Sequence, residues 1–585
     1  MIRFVPYFVR PLANRAGRRA AMRAASRPPP SAAPPRACSH RAAHSRGVFA
    51  SPARVRLRGS SAVVPSASSS SATSPADPLG VSDPIEARAP SNPSPTLINA
   101  DLAPVLARDR TFDAVDVASL WIGLVVCVPA YTLAGSVVDV GFSVAQGIAC
   151  ITLANLIVLL PMFANGHAGT KYGAPFPVLA RAAFGVKGAH VPALARALVG
   201  CGWFGIQTHA GGRALRAALV ALAPNTVGAF AAAHAAPIPT LAIPPLDLAC
   251  YLAFLVAQMM IIARGVESLR ALERFAAPTL VALILALFAW AFRAAGGSLG
   301  AMLSAPSAFA IGGALEGGFW SAFAPMLTAT VGFWATLSLN ISDFTRYATS
   351  QRAQARGQTF GLPVFMSAFS FVSVAITSCT AVVFGVAVGD PIQLLERIGG
   401  GAAATTLAAA GTLAATLSTN VAANVVAPAN ALVNLAPRRV TFETGGYVTA
   451  VVGTLLMPWR LVADVSGYVF VWLSGYGALL GPAAGIMIAD YHVLRRRTLD
   501  VDALYADGPG GAYWYERGIN PAAVCAFVAG VVPCVPGFLR AAGAAASVPR
   551  AFVAIFDVAW FFGFFVGAGW YLAHSAALAK RKKKT

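Results

Sequence analysis

Apolar residues in this chain run together in long blocks, separated by short stretches rich in Arg, Lys, Gly and Pro. A helix crossing the hydrocarbon core of a bilayer needs about 20 predominantly apolar residues. Twelve blocks approach that length. They fall at 117–138, 142–163, 189–212, 246–263, 276–296 and 320–342, then at 362–389, 403–427, 446–462, 464–489, 521–541 and 551–577. The predicted fold class is all-α: a polytopic membrane protein of twelve transmembrane helices.

Charge in the connections bears on this count. With the amino terminus inside, the even-numbered connections and the carboxyl tail hold 21 Lys and Arg, against 7 in the opposite connections. Lys171, Arg181, Lys187, Arg196, Arg346 and the Arg495-Arg496-Arg497 run belong to the richer side. Cationic loops favour the inner face, so the asymmetry supports both the number of spans and a shared side for the two termini.

Two blocks contain helix breakers: Gly123, Pro129 and Gly135 in the first, and Pro325, Gly332 and the polar run Thr336–Asn340 in the sixth. Gly and Pro are common in transmembrane helices generally. At matching places in two five-span halves they predict discontinuous helices 1 and 6 around a midplane site.

Polar side chains inside apolar blocks are expensive and point to function. Trp203 and Gln207 lie at i and i+4 of the third block, so both project from one helical face. A lone Trp is ordinarily packing or an interfacial anchor. Beside a carboxamide near the span centre, it suits a flat, uncharged heterocycle with hydrogen-bonding edges. Phe333 and Trp334 sit next to the break expected in the sixth block. Taken alone, Trp334 reads as core packing. With Trp203 it makes a pair of indoles able to sandwich a ring, and base–aromatic stacking contributes about 1–3 kcal/mol.

In the eighth block Ala415, Ser418 and Thr419 share one face, and Asn420 and Asn424 form an i, i+4 pair on another. Hydroxyls together with carbonyls freed by a broken helix suit a hard cation. Amides that both donate and accept match a lactam or imide edge. His209 is able to relay protons, but a neutral imidazole bonded to a neighbouring helix is the favoured reading. Asp139, Asp343 and Asp490 lie near span ends, where solvated carboxylates or helix-end contacts are expected.

Composition fits this picture. Hydrophobic residues form 57% of the chain and charged residues 11%, with a mean hydropathy of +0.65. The net charge of +21 does not mark a nucleic-acid binder, because 13 Arg precede residue 60 and no acid occurs before Asp77. An Arg-, Ser- and Ala-rich leader without acids has the character of an organellar transit peptide. The eight Cys form no CxxC and no Cys/His cluster, so neither a disulfide framework nor a certain metal site is expected. The expected organisation is a leader over 1–85, a polar arm over 86–116, a transporter domain over 117–577 and a basic tail over 578–585.

The chain resembles the nucleobase:cation symporter family, most nearly its plant plastid branch. The likeness rests on Ser119-Leu120-Trp121-Ile122-Gly123-Leu124, Gly169-Thr170-Lys171-Tyr172-Gly173 with Pro175-Phe176-Pro177, Arg196 through Trp203, Ala335 through Tyr347, and Ser418 through Asn430. It covers roughly residues 100–540. The resemblance implies a five-plus-five inverted repeat with two further helices, and no enzymatic activity. It gives ring stacking to Trp203 and Trp334, and edge bonding to Gln207 and Asn424. It places Phe333 and Cys127 against the substrate, and assigns a sodium ion, where one is used, to Gly123, Val126, Ala415, Ser418 and Thr419. Cys127 aligns with a position that varies among members, and His209 stands where relatives commonly carry Trp. We expect a symporter of uracil, adenine and guanine with no cofactor, in the inner chloroplast envelope, reached through the import machinery. Protons are expected as the coupling ion over sodium. Allantoin, hydantoin or a vitamin-like ring as cargo, passive facilitation, and a mitochondrial address remain the alternatives.

Overall fold

The computed structural model describes residue 77 and residues 80–264, 267–399, 401–463 and 466–582. The expected leader therefore lies almost wholly outside the described residues, as do the last three residues of the tail. The described chain is almost entirely helical, with two isolated bridges and no strand among the described residues.

The main helices are α1 (Ala114–Val125), α2 (Val128–Asp139), α3 (Val144–Tyr172), α4 (Phe176–Phe184), α5 (His190–Leu222), α6 (Pro245–Arg264), α7 (Glu267–Ala294) and α8 (Phe319–Asn340). They continue with α9 (Gln351–Phe384), α10 (Gly401–Asn424), α11 (Val426–Leu435), α12 (Phe442–Leu455), α13 (Gly467–Leu494), α14 (Pro521–Ala541), α15 (Arg550–Asp557) and α16 (Ala559–Lys582). Every expected block overlaps one of them. Among the described residues, six helices are long and apolar enough to cross a membrane, or up to nine if each bent pair is one span. The six are α3, α6, α8, α9, α13 and α14.

The first block is broken as expected. Asp113 and Asp116 form a capping box that starts α1, and the chain then bends by 64° into α2 across Val126 and Cys127. Cys127 is extended (φ −146°, ψ 158°), and Pro129 sits in the first turn of α2, where its missing N–H costs no helical bond.

The sixth block differs from expectation. α8 runs without a break from Phe319 to Asn340. Its polar residues do not open the helix, because Thr330, Thr336 and Ser338 donate back to the carbonyls of Met326, Phe333 and Ala335. Pro325 lies early in the helix, and the carbonyl it leaves unpaired belongs to exposed Ser321.

Packing gathers the broken helix and three long ones. α10 runs along α5, and α8 lies against α3 and α13. Small residues let α5 and α12 close together: a side chain on Gly205 would strike the Gly453 carbonyl, and one on Gly453 would meet the Cys201 carbonyl at 2.5 Å.

The amino-terminal arm makes contacts from Gly80 onward. Asp83 lies 3.2 Å from His167, Lys171 pairs with Glu86 at 3.2 Å, and Arg88 donates to Asp502 at 2.6 Å. Arg110 donates to the carbonyls of Thr170 and Ala348, and burial lowers its guanidinium to about 10, still protonated at neutral pH. Asp343 and Asp490 are buried rather than solvated. Asp343 accepts from the Phe176 N–H at 2.9 Å, and Asp490 pairs with Arg495 at 2.6 Å.

Candidate functional site

The bend between α1 and α2 opens onto α5, α8 and α10, and these elements line a small cavity. Leu124, Cys127 and Pro129 line it from the bend; Arg196, Trp203 and Gln207 from α5; Phe333, Trp334, Thr336 and Leu337 from α8; and Thr419, Ala423 and Asn424 from α10. All six expected substrate residues (Trp203, Gln207, Trp334, Asn424, Phe333 and Cys127) therefore border one space.

The aromatic wall is wider than two indoles. Phe333 makes edge-on contacts with both, at 5.2 Å from Trp203 and 4.8 Å from Trp334. Tyr468, Trp472 and Tyr476 of α13 also meet the Trp203 ring edge-on, at 6.3, 6.1 and 6.2 Å. Trp121 does the same for Trp334 at 5.1 Å. Edge-to-face contacts fix each indole plane without covering a face by stacking.

The two asparagines of α10 have separate jobs. Asn424 borders the cavity and donates through Nδ2 to Asn420 Oδ1 at 2.9 Å. Asn420 faces α5 and α6, donating to Gln258 Oε1 at 2.7 Å and to the Phe204 carbonyl at 2.9 Å. Gln258 donates on to Thr208 Oγ1 at 2.9 Å, and Thr208 returns to the Phe204 carbonyl at 2.7 Å. This closed chain holds the Asn424 amide by one nitrogen and leaves its oxygen free to accept. Sequence reasoning missed Gln258, although an amide within an apolar block was the available signal.

It also missed Arg196, which it counted with the loop cations. Arg196 lies inside α5, is 2% exposed, and donates through Nε to the Thr336 carbonyl at 3.1 Å and to Asn340 Oδ1 at 2.9 Å. Among the described residues, Arg196 Nη1, Gln207 Oε1 and Trp334 Nε1 are buried polar atoms without a hydrogen-bond partner.

The expected cation residues are less gathered. Of Gly123, Val126, Ala415 and Thr419, only Thr419 borders the cavity, while Val126 lies at the bend and Ala415 is buried on α10. The Ser418 side chain lies outside what the structure describes. Among the described residues no group of three or more His, Cys, Asp or Glu is placed to hold a metal ion. His209 is half-buried with its ring 6.4 Å from Trp459, and no hydrogen bond joins it to a neighbouring helix among the described residues.

A bundle of apolar helices enclosing an aromatic and amide-lined cavity at a broken span defines a multi-pass membrane transport protein. The family of permeases for cytosine/purines, uracil, thiamine and allantoin matches residues 104–563, and the chain belongs to it. It is 47% identical to the purine-uracil permease NCS1 of Arabidopsis thaliana, over 83% of this chain and 79% of that protein. It is 36% identical to the allantoin permease of Bacillus subtilis, over 81% of this chain and 92% of that one. Among solved structures, the inward-facing conformation of Mhp1 superposes with a TM-score of 0.66 at 26% identity, covering 84% of this chain and 96% of that one. Mhp1 closed on bromovinylhydantoin, titled a nucleobase-cation-symport-1 family transporter, gives 0.65 at 26% identity, covering 83% and 97%. The family and these relatives are permeases, not enzymes.

Proposed function

We propose that the chain is a secondary active symporter of nucleobases such as uracil, adenine and guanine, working by alternating access at the cavity between α1/α2, α5, α8 and α10. The observation that carries this reading is the convergence of Trp203, Trp334, Gln207 and Asn424 on one enclosed space. The indoles supply faces for a planar ring, and the amides read its rim. Substrate occupancy would favour closure of the bundle, and rocking of one group of helices against the other would open the opposite side. Protons are the proposed coupling ion, with sodium at Gly123, Val126, Ala415, Ser418 and Thr419 as the other reading. Allantoin and hydantoin stand as alternative cargo because the relatives include an allantoin permease and a hydantoin permease. The acid-free leader and the plant relative support delivery by the import machinery to the inner chloroplast envelope. The twelve-span count, the leader over 1–85, the arm over 86–116 and the basic tail belong to the same proposal.

The test is uptake by reconstituted protein lacking the leader, with proton or sodium gradients imposed separately. Uracil accumulation driven by a proton gradient, competed by guanine and more weakly by adenine, is the expected result. Uptake that survives collapse of both gradients would replace the symporter with a facilitator.

A further inference from the structure

Arg196, Gly200, Trp203 and Gln207 stand at i, i+4, i+7 and i+11 of α5, one helical face on which all but Gly200 border the cavity. Gly200 has a particular use in this stripe. A Cβ there would strike the Pro428 ring at 2.7 and 2.9 Å and come 3.0 Å from Arg196 Nη1, so its absence leaves room for both. The Nε edge is anchored to Thr336 and Asn340 on α8, and Asn340 Nδ2 in turn donates to Asp343 at 3.1 Å. Nη1 is left buried without an acceptor and Gln207 Oε1 buried without a donor, in two side chains that both border the cavity. Buried polar atoms are rarely orphaned unless a ligand or water completes them. Arginine donates only. A ring that completed both groups would bring a carbonyl oxygen to Arg196 and an N–H to Gln207.

We propose that Arg196 is a substrate-binding residue that reads an exocyclic ring carbonyl, so the site favours oxo rings that also carry an N–H over rings whose exocyclic group is an amine. Uracil carries both groups, whereas adenine carries no carbonyl. This deepens the transport reading above and rests on it.

The experiment measures competition against radiolabelled uracil uptake in proteoliposomes, using uracil, pyrimidin-2-one, pyrimidin-4-one and adenine. On the wild-type protein, removing the carbonyl that meets Arg196 should weaken competition by about 10- to 100-fold, the range of a hydrogen bond to a charged donor. Arg196→Gln should bring uracil down to the level of that mono-oxo ring while leaving the mono-oxo ring unchanged. Arg196→Lys, which keeps a charged donor without the planar fork, should narrow the ratio in part. It serves as the decisive variant if Arg196→Gln does not reach the membrane. Equal competition by uracil and both mono-oxo rings on the wild type would overturn the proposal. So would an equal loss for uracil and the mono-oxo rings in the variants, the mark of a purely structural arginine. No uracil uptake by the wild type would remove the transport reading itself, whereas uptake indifferent to the missing carbonyl removes this inference alone.

Discussion

Asn420→Ala isolates a residue that shapes the site from behind. Its amide nitrogen supplies Gln258 Oε1 and the Phe204 carbonyl, and its oxygen holds Asn424 Nδ2. Alanine leaves Gln258 Oε1 without this donor in a fully buried position, at a cost of about 1–3 kcal/mol. The Phe204 carbonyl loses less, because Thr208 still donates to it. A loss of about 2 kcal/mol in thermal or denaturant unfolding is therefore expected. The effect on ligand is separate. Asn424 touches the cavity and Asn420 does not, so losing the orienting bond should weaken uracil binding through Asn424 by about tenfold, the equivalent of one hydrogen bond. Binding to purified protein, followed by quenching of indole fluorescence, gives both single variants and the double variant. Asn424→Ala should weaken binding more than Asn420→Ala, and the double variant should bind no worse than Asn424→Ala alone, since coupled neighbours are not additive. Fully additive losses, or unchanged binding in Asn420→Ala, would refute the division of labour between the two amides.

Trp203→Ala removes a stacking face contributing about 1–3 kcal/mol and opens the aromatic wall; uptake should vanish while membrane insertion, measured by surface labelling, stays intact, and full uptake would remove Trp203 from the site. Asp390 pairs with Arg213 at 2.6 Å and also caps the helix Pro391–Ile398 by accepting from Ile392 and Gln393. Asp390→Ala should therefore destabilise the protein by about 1 kcal/mol more than Arg213→Ala, the usual contribution of a cap, and equal melting shifts would count against this. On the arm, the hydrogen bond from Arg88, followed by the Ser91 N–H, holds the Asp502 carboxyl down to about 2. A depressed carboxylate stabilises above its unfolded value and loses that contribution as pH falls through the folded one. Hydrogen-exchange protection around Ser91, corrected for intrinsic rates, should stay flat from pH 8 to 5 and drop only in acid or in Asp502→Asn; loss of protection between pH 8 and 5 would contradict it.

The part of the fold legible in the sequence was the part written in local chemistry. Each apolar block became a helix because a long unbroken run has no polar face to expose. The bend at Cys127 was legible from Pro129, whose missing N–H marks a helix start. The break expected in the sixth block failed for an equally physical reason. Thr330, Thr336 and Ser338 find their acceptors within their own helix, so a polar run there does not require an opened backbone.

Arg196 shows where local reading ends. Near the start of a span, an arginine is ordinarily a cation reaching for the interface, and nothing within seven residues contradicts that. What turns it inward lies on α8, at Thr336 and Asn340, more than a hundred positions along the chain. The same holds for Asn420, whose partners Phe204 and Gln258 come from two other helices. Aromatic and amide residues that border the cavity announce themselves by type and spacing, as Trp203 and Gln207 did. Residues that orient those groups are defined by partners brought together only when the helices pack.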